Sequence, residues 1–227
     1  MADAPARGRN YHEQVLFGVT MQDVVLTIGH STHTRESFIA LLRRHDVTAL
    51  CDVRSVPYSR VNPQFNREEL KGSLHACGIK YVFLGNELGA RSQDLGCYEN
   101  GKAQYDRLAC TDLFRRGLAR VQNGMKDYRL TLMCAEKEPL ECHRTILVAK
   151  HLVSLGLDVR HIHADGSLES HANALSRLAR MLNLPELDMF RSPEELLAEA
   201  YRRQAGRIAY DYAGEVSADA TARSAAG

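Results

Sequence analysis

Five short apolar runs, alternating with segments of helical periodicity, restrict the fold of this chain more than any other feature. They are residues 24–30 (VVLTIGH), 47–53 (VTALCDV), 79–85 (IKYVFLG), 128–134 (YRLTLMC) and 157–163 (LDVRHIH). Each is rich in β-branched or apolar residues and too short to be a helix with its own apolar face, so each is expected as a buried strand. Between them, residues 34–45, 67–77, 105–123 and 145–155 place apolar side chains at helical spacing. Thr34 or Ser31 is available to cap the first of these helices, and Gly156 to end the last. The alternation implies an α/β fold, a mostly parallel Rossmann-like sheet with helices on both faces. After Leu184 the pattern turns wholly helical, including residues 193–205, so C-terminal helices are expected as well.

The organisation expected along the 227 residues is an N-terminal arm (1–22), an α/β domain (23–184), a helical extension (185–212) and a polar, small-residue tail (213–227) without order. Pro57 and Pro63 forbid a continuous helix in the stretch after the second strand. Residues 86–101 hold three glycines and read as a long loop of the functional kind. A formal charge of +1 gives no global pull toward nucleic acid or membrane. No apolar run approaches the roughly 20 residues that cross a bilayer, and the N-terminus lacks the apolar centre of a secretory signal. Six cysteines without a regular framework suit reduced thiols, so the expected location is cytoplasmic, with no disulfide between Cys134 and Cys142.

In an open parallel sheet, ligands bind beyond the carboxyl ends of the strands. That rule collects His30 and Ser31 from the first run, Asp52 and Arg54 from the second, and Glu87 after the third. The fourth leads to Cys134 and Glu136, and the fifth to Asp165. The densest segment is LMCAEKEPLECHRT. A strand ends in Cys134, a charged loop follows, and Cys142, His143, Arg144 and Thr145 open a helix whose free N–H groups favour an anion. A guanidinium at that start offers a fork for phosphate or carboxylate, or else pairs with Glu136 or Glu141. A thiol there has its thiolate favoured, which makes Cys134 or Cys142 a candidate nucleophile. Asp52 and Arg54, two apart in an extended chain, share a side. Either they belong to the chemistry or they form a structural pair. Arg60 adds to a local excess of six Lys or Arg over three Glu within residues 54–91. Four histidines lie near strand ends, but Cys134 and Cys142 lack the short paired spacing of structural zinc sites and no HExxH is present, so no metal ligands are assigned.

Five ordered motifs, TIGHS (27–31), DVRSVPYSR (52–60), GIKYVFLGNELG (78–89), LMCAEKEPLECHR (132–144) and HADGSLESH (163–171), resemble the domain-of-unknown-function family numbered 488, as does the segment ELDMFRSPEELLAEAYRRQAGRIAY. The resemblance implies an α/β domain common in bacteria and carries no activity. A more distant likeness runs to rhodanese and cysteine-phosphatase domains, which share an Asp-x-Arg strand exit and a strand-end cysteine loop feeding a helix with arginine. Those domains place the arginine close behind the cysteine, whereas ten positions separate Cys134 from Arg144, and Val148 stands at the phosphatase offset from Cys142.

These residues point to an enzyme acting on a phosphate-bearing small molecule, nucleotide or nucleic-acid end. Ser31, Arg54, Arg60, Glu87, Cys142, His143, Arg144, Thr145 and Asp165 are the expected binding set. Asp52 or Glu136 would be the acid/base, Cys134 the nucleophile and His30 the proton donor. A noncatalytic nucleotide- or nucleic-acid-binding module and a metal-dependent hydrolase are the rival readings. His30, Asp52, Cys134 and Arg144 are expected to line one pocket. The cofactor is unknown, no membrane partner is expected, and oligomeric state cannot be read from the sequence.

Overall fold

The computed structural model describes residues 24–185 and 188–212; the expected arm (1–22) and tail (213–227) lie outside the described residues. Strand β1 (Val24–Gly29) leads to helix α1 (Arg35–Arg44), whose start is capped by Thr34 accepting from the Ser37 N–H at 3.1 Å. Then come β2 (Ala49–Asp52), α2 (Arg67–His75), β3 (Lys80–Phe83) and the one-turn α3 (Gly85–Leu88). A two-residue hairpin follows, β4 (Tyr98–Glu99) and β5 (Lys102–Ala103). Both residues of its turn, Asn100 and Gly101, have positive φ, the geometry that closes tight hairpins. Helices α4 (Tyr105–Ala109) and α5 (Asp112–Gly124) lead into β6 (Leu130–Cys134). A π-helical segment (Arg144–Ala149) runs into α6 (Lys150–Ser154), followed by β7 (Asp158–Ile162), β8 (Leu168–Ser170), α7 (His171–Met181) and α8 (Pro193–Ile208).

The sheet has the order β3-β2-β6-β1-β7-β8, parallel throughout except for β8, which runs antiparallel to β7. All five expected strands are in it, and the fold is the mixed α/β architecture expected, with C-terminal helices. Side chains alternate between the two faces, and each face has its own core. Leu26, Ile28, Leu50 and Met133 pack with Phe38 and Leu42 of α1 and with Leu70 and Leu74 of α2. On the other face, Val25, Ala49, Cys51, Leu132 and Cys134 pack with Val121 of α5, Leu147, Leu152 of α6 and Ala200 of α8. Fully burying one such leucine or phenylalanine contributes about 1.5–3 kcal/mol. Among the described residues no helix is long and apolar enough to cross a membrane.

Three details depart from the sequence reading. Residues 105–123 form two helices, because Thr111 ends the first by donating to the Leu108 carbonyl and caps the second by accepting from the Phe114 N–H. Residues 86–101 are only partly loop, since α3, a 3-10 turn (Leu95–Cys97) and β4 lie within them. The helix expected at 145–155 opens with the π segment. Its wider turn holds one more residue than an α turn and often marks functional sites.

Strand β6 lies between β1 and β2, so the connection from β1 to β2 passes over its position, and the ends of these three strands meet where strand order reverses. Their registers are level: Gly29 pairs with Cys134, and Asp52 with Met133.

Candidate active site

Two groups of polar residues form at these strand ends, one on each face. The single pocket expected for His30, Asp52, Cys134 and Arg144 is not what the fold builds. Leu50 and Met133 belong to the α1/α2 face, and Asp52, two residues beyond Leu50, points the same way; Cys134 belongs to the opposite face. Asp52 and Cys134 therefore share an end of the sheet but not a side.

On the α1/α2 face, Asp52 and Arg54 form a buried bidentate pair. Arg54 Nε donates to Asp52 Oδ1 at 2.9 Å and Nη2 to Oδ2 at 2.6 Å, while the Arg54 backbone N–H and the Tyr81 hydroxyl complete the carboxylate. Arg54 Nη2 also donates to the Phe65 carbonyl, and Nη1 to His30 Nε2 at 3.1 Å. These bonds use four of the five guanidinium hydrogens. His30 stacks on Phe65 with ring centroids 4.4 Å apart, and its Nδ1–H bonds the Ser31 carbonyl. Burial holds the His30 imidazole down at about 4, the Ser31 carbonyl opposes the shift and the Arg54 charge adds to it. Both ring nitrogens are thus engaged, Nε2 receiving from Arg54 and Nδ1 donating to the Ser31 carbonyl, which argues against the proton-donor role expected for His30. Asp52, with both oxygens bonded, holds Arg54 in one direction.

On the other face the chain leaves β6 at Cys134, turns through a 3-10 helix (Pro139–Glu141) and returns with Cys142 and His143. Sequence spacing hid this closure, since eight positions separate the cysteines. His143 Nδ1 lies 3.7 Å from Cys134 Sγ and 3.9 Å from Cys142 Sγ, and these three atoms all lie within 4.8 Å of one another. His143 Nε2 is 3.1 Å from the Val53 carbonyl, an acceptor only, so Nε2 carries the proton there. Cys142 Sγ is 2.9 Å from Glu136 Oε2, close enough to share a proton, and also accepts from the Arg144 backbone N–H. Burial raises the Cys142 thiol, but the Cys134 thiol, the Arg144 charge and His143 outweigh it and hold Cys142 well below its ordinary range. Cys134 moves the other way, pushed well up first by its bond to Cys142 and then by burial. Of the two thiols, Cys142 is thus the more readily ionised, not Cys134.

Arg144 does not stand in a wet pocket. Its side chain is fully buried, with Nη1 donating to the Glu136 carbonyl at 2.8 Å and Nη2 to the Lys137 carbonyl at 3.3 Å; Nε has no hydrogen-bond partner among the described residues. It props the 135–137 loop and pairs with neither Glu136 nor Glu141. The same loop explains Gly29, where a β-carbon would collide with the Glu136 carbonyl. Thr145 is likewise buried, with no partner for its hydroxyl among the described residues, so the expected anion-holding helix start is a closed piece of core.

Three expected residues lie elsewhere. Glu87 pairs with Arg120 of α5, Asp165 caps the exposed turn before β8 through Ser167, and Arg60 lines neither cavity described next. A cavity of about 250 Å³ adjoins the cysteine–histidine group and is lined by Cys134, Glu136, His143 and Arg54, and by Ser55 and Tyr105, which the sequence reading had not singled out. A second, of about 630 Å³, is lined by His30, Ser31, Ser59, Asn62, Arg91 and Lys137. Arg54, Arg91 and Glu136 line both. Arg91 and Tyr105 come from segments outside the strand exits, which is why the strand-end rule passed over them.

Among known proteins, a family model described as "Domain of unknown function DUF488" matches residues 34–151. No curated protein and no solved structure matches the chain, and the likeness to rhodanese and cysteine-phosphatase domains is not shown.

Proposed function

The chain belongs to the DUF488 family, and from the geometry of its site we propose that it is an enzyme acting on a small phosphate-bearing molecule, with Cys134, Cys142, His143 and Glu136 as the reacting centre. The observation that carries this reading is that Arg54 and Glu136 line both cavities, so an anion held on one side lies beside the thiols and imidazole on the other. Arg54 has one guanidinium hydrogen left after its structural bonds, and the pair with Asp52 fixes its direction. Arg91 and Lys137 add positive charge at the rim, and Ser55, Ser59 and Asn62 offer neutral donors. Cavities of these sizes suit a mononucleotide or sugar phosphate better than a duplex. Asp52 and His30 are positioning residues in this scheme.

The test is a calorimetric titration of the full chain with inorganic phosphate and with a mononucleotide, at low and high salt, for the native protein and an Arg91→Ala/Lys137→Ala variant. Losing charge-assisted contacts costs about 1.5–3 kcal/mol of affinity, so the variant should bind roughly 10-fold to 100-fold more weakly while melting within a few degrees of native. Equal affinity in both proteins would overturn the phosphate site. Binding without turnover, across a panel of phosphate esters and with Glu136→Gln as the comparison, would favour the noncatalytic module.

A further inference from the structure

We propose that Cys134, Cys142 and His143 bind a single divalent metal ion of the zinc class, with Glu136 beside its fourth position. The first argument is spacing. Zinc takes thiolate sulfur at about 2.3 Å and imidazole nitrogen at about 2.0–2.1 Å in a tetrahedron, which sets sulfur and nitrogen roughly 3.6 Å apart. The distances here from Nδ1 to the two sulfurs are 3.7 and 3.9 Å, close to that value, and the sulfurs lie within 4.8 Å of each other, against about 3.8 Å for two such Zn–S bonds.

The second argument is orientation. A ligating histidine usually donates its other ring N–H to a carbonyl or carboxylate, which fixes the tautomer and aims the lone pair. His143 does this: Nε2 bonds the Val53 carbonyl at 3.1 Å, and Nδ1 is left facing both sulfurs. Val53 lies directly after β2, so the ring is held by the sheet and not by a mobile loop. The third argument is access. Cys134, Cys142 and His143 are buried, whereas Glu136 is exposed, and the 250 Å³ cavity reaches Cys134, Glu136 and His143. Three protein ligands with a fourth position open to a cavity is the pattern of catalytic zinc, whereas structural sites close all four. A water or substrate oxygen in that position would lie near Glu136, which can accept its proton. Buried Arg144, bonded to the carbonyls of residues 136 and 137, offsets the negative charge that two thiolates bring.

This inference deepens the reading of the cluster as a reacting centre, and its test needs no substrate. The full chain, stripped with a chelator under reducing conditions, is titrated with Co²⁺ and then with Zn²⁺. The expected result is one Co²⁺ per chain, with the intense visible bands of tetrahedral cobalt and a thiolate charge-transfer band in the near ultraviolet, all displaced by one equivalent of Zn²⁺. Cys134→Ser, Cys142→Ser and His143→Gln should each weaken binding at least 100-fold. Cys97→Ser, at a buried cysteine outside the cluster, should not, and circular dichroism of the stripped variants shows whether each has folded. Glu136→Gln should keep the metal within about 10-fold and shift the visible bands. Sub-stoichiometric cobalt, a spectrum without the thiolate band, or equal losses in Cys97→Ser would overturn the proposal, as would a Cys134–Cys142 disulfide that persists under thiol trapping. If cobalt fails while phosphate still binds in an Arg91- and Lys137-dependent way, the metal site alone is wrong. If cobalt binds and phosphate does not, the substrate class is wrong.

Discussion

The two faces of the sheet carry polar groups at the same end, yet they are built on opposite terms. On the α1/α2 face, Asp52, Arg54, Tyr81, His30 and the Phe65 carbonyl bond to one another until almost every donor and acceptor is used. On the other face, two sulfurs and an imidazole nitrogen converge, with Nδ1 of His143 at 3.7 and 3.9 Å from the sulfurs. The closed network spends all but one of the Arg54 guanidinium hydrogens on structure and so holds that residue rigid. An open one is the place where chemistry can be added. Residue type alone does not separate these cases; which groups face one another does.

The largest expected effect belongs to the closed face. Asp52→Ala strands the Arg54 charge in a buried site and should cost about 3–5 kcal/mol of stability, seen as a steep fall in the denaturant midpoint. A loss below about 1 kcal/mol would mean that the pair is not the anchor described, and the contrast between the faces would break.

A second closed network sharpens the comparison through pH. Thr27 Oγ1, His161, His171 and the Tyr201 hydroxyl form a buried chain with links of 2.8, 3.1 and 2.7 Å that ties α7 and α8 to β1 and β7. Burial lowers the His171 imidazole to about 4. His161 is also held neutral, by burial first and then by the charges of His171, Arg144, His163 and Arg177. For His171 the folded value lies below the unfolded 6.5, so the unfolded chain takes up the proton first. The stabilisation is complete above pH 6.5 and is lost as pH falls toward 4. At pH 5 the loss should be about 2 kcal/mol for this group. Chemical denaturation at pH 7 and pH 5, with His171→Asn as the difference measurement, checks it; a variant with the native pH slope would rule it out.

The smallest effect is expected on the open face. In chelator-stripped protein Cys142→Ser should cost about 1 kcal/mol, because the cluster is not what holds the metal-free fold together. A thermal-melt deficit as large as that of Asp52→Ala would show that both faces are structural.

Much of this architecture was legible in the sequence. The five strands follow from short β-branched runs, and the Thr34 cap and the partnership of Asp52 with Arg54 follow from local spacing. What escaped was three-dimensional. Alternation along β2 and β6 sends Asp52 and Cys134 to opposite faces, but only the register reveals that the two strands are neighbours. Arg144 looked like an anion ligand because a guanidinium at a helix start has two uses. The backbone carbonyls that claim it are present in every sequence and mark none. Cys134 and Cys142 lacked a recognisable metal spacing because the turn at Pro139–Glu141, not a short CxxC, brings them together. The Asn100–Gly101 pair, by contrast, was a readable hairpin signal inside what was taken for loop.

The π-helical segment after His143 makes this stretch intolerant of changes in length. Each residue of an α-helix turns the chain by about 100°, and the π segment carries one residue more than an α turn would need. Removing one residue between Arg144 and Ala149 would let the helix relax to ordinary geometry and would improve it as a helix. Cys142 and His143 would then swing by about 100° relative to α6, away from Cys134 and the Val53 carbonyl. Homologous chains that keep the Cys-His-Arg triplet should therefore show no insertion or deletion across these six positions, while the connection between α3 and β4 varies in length.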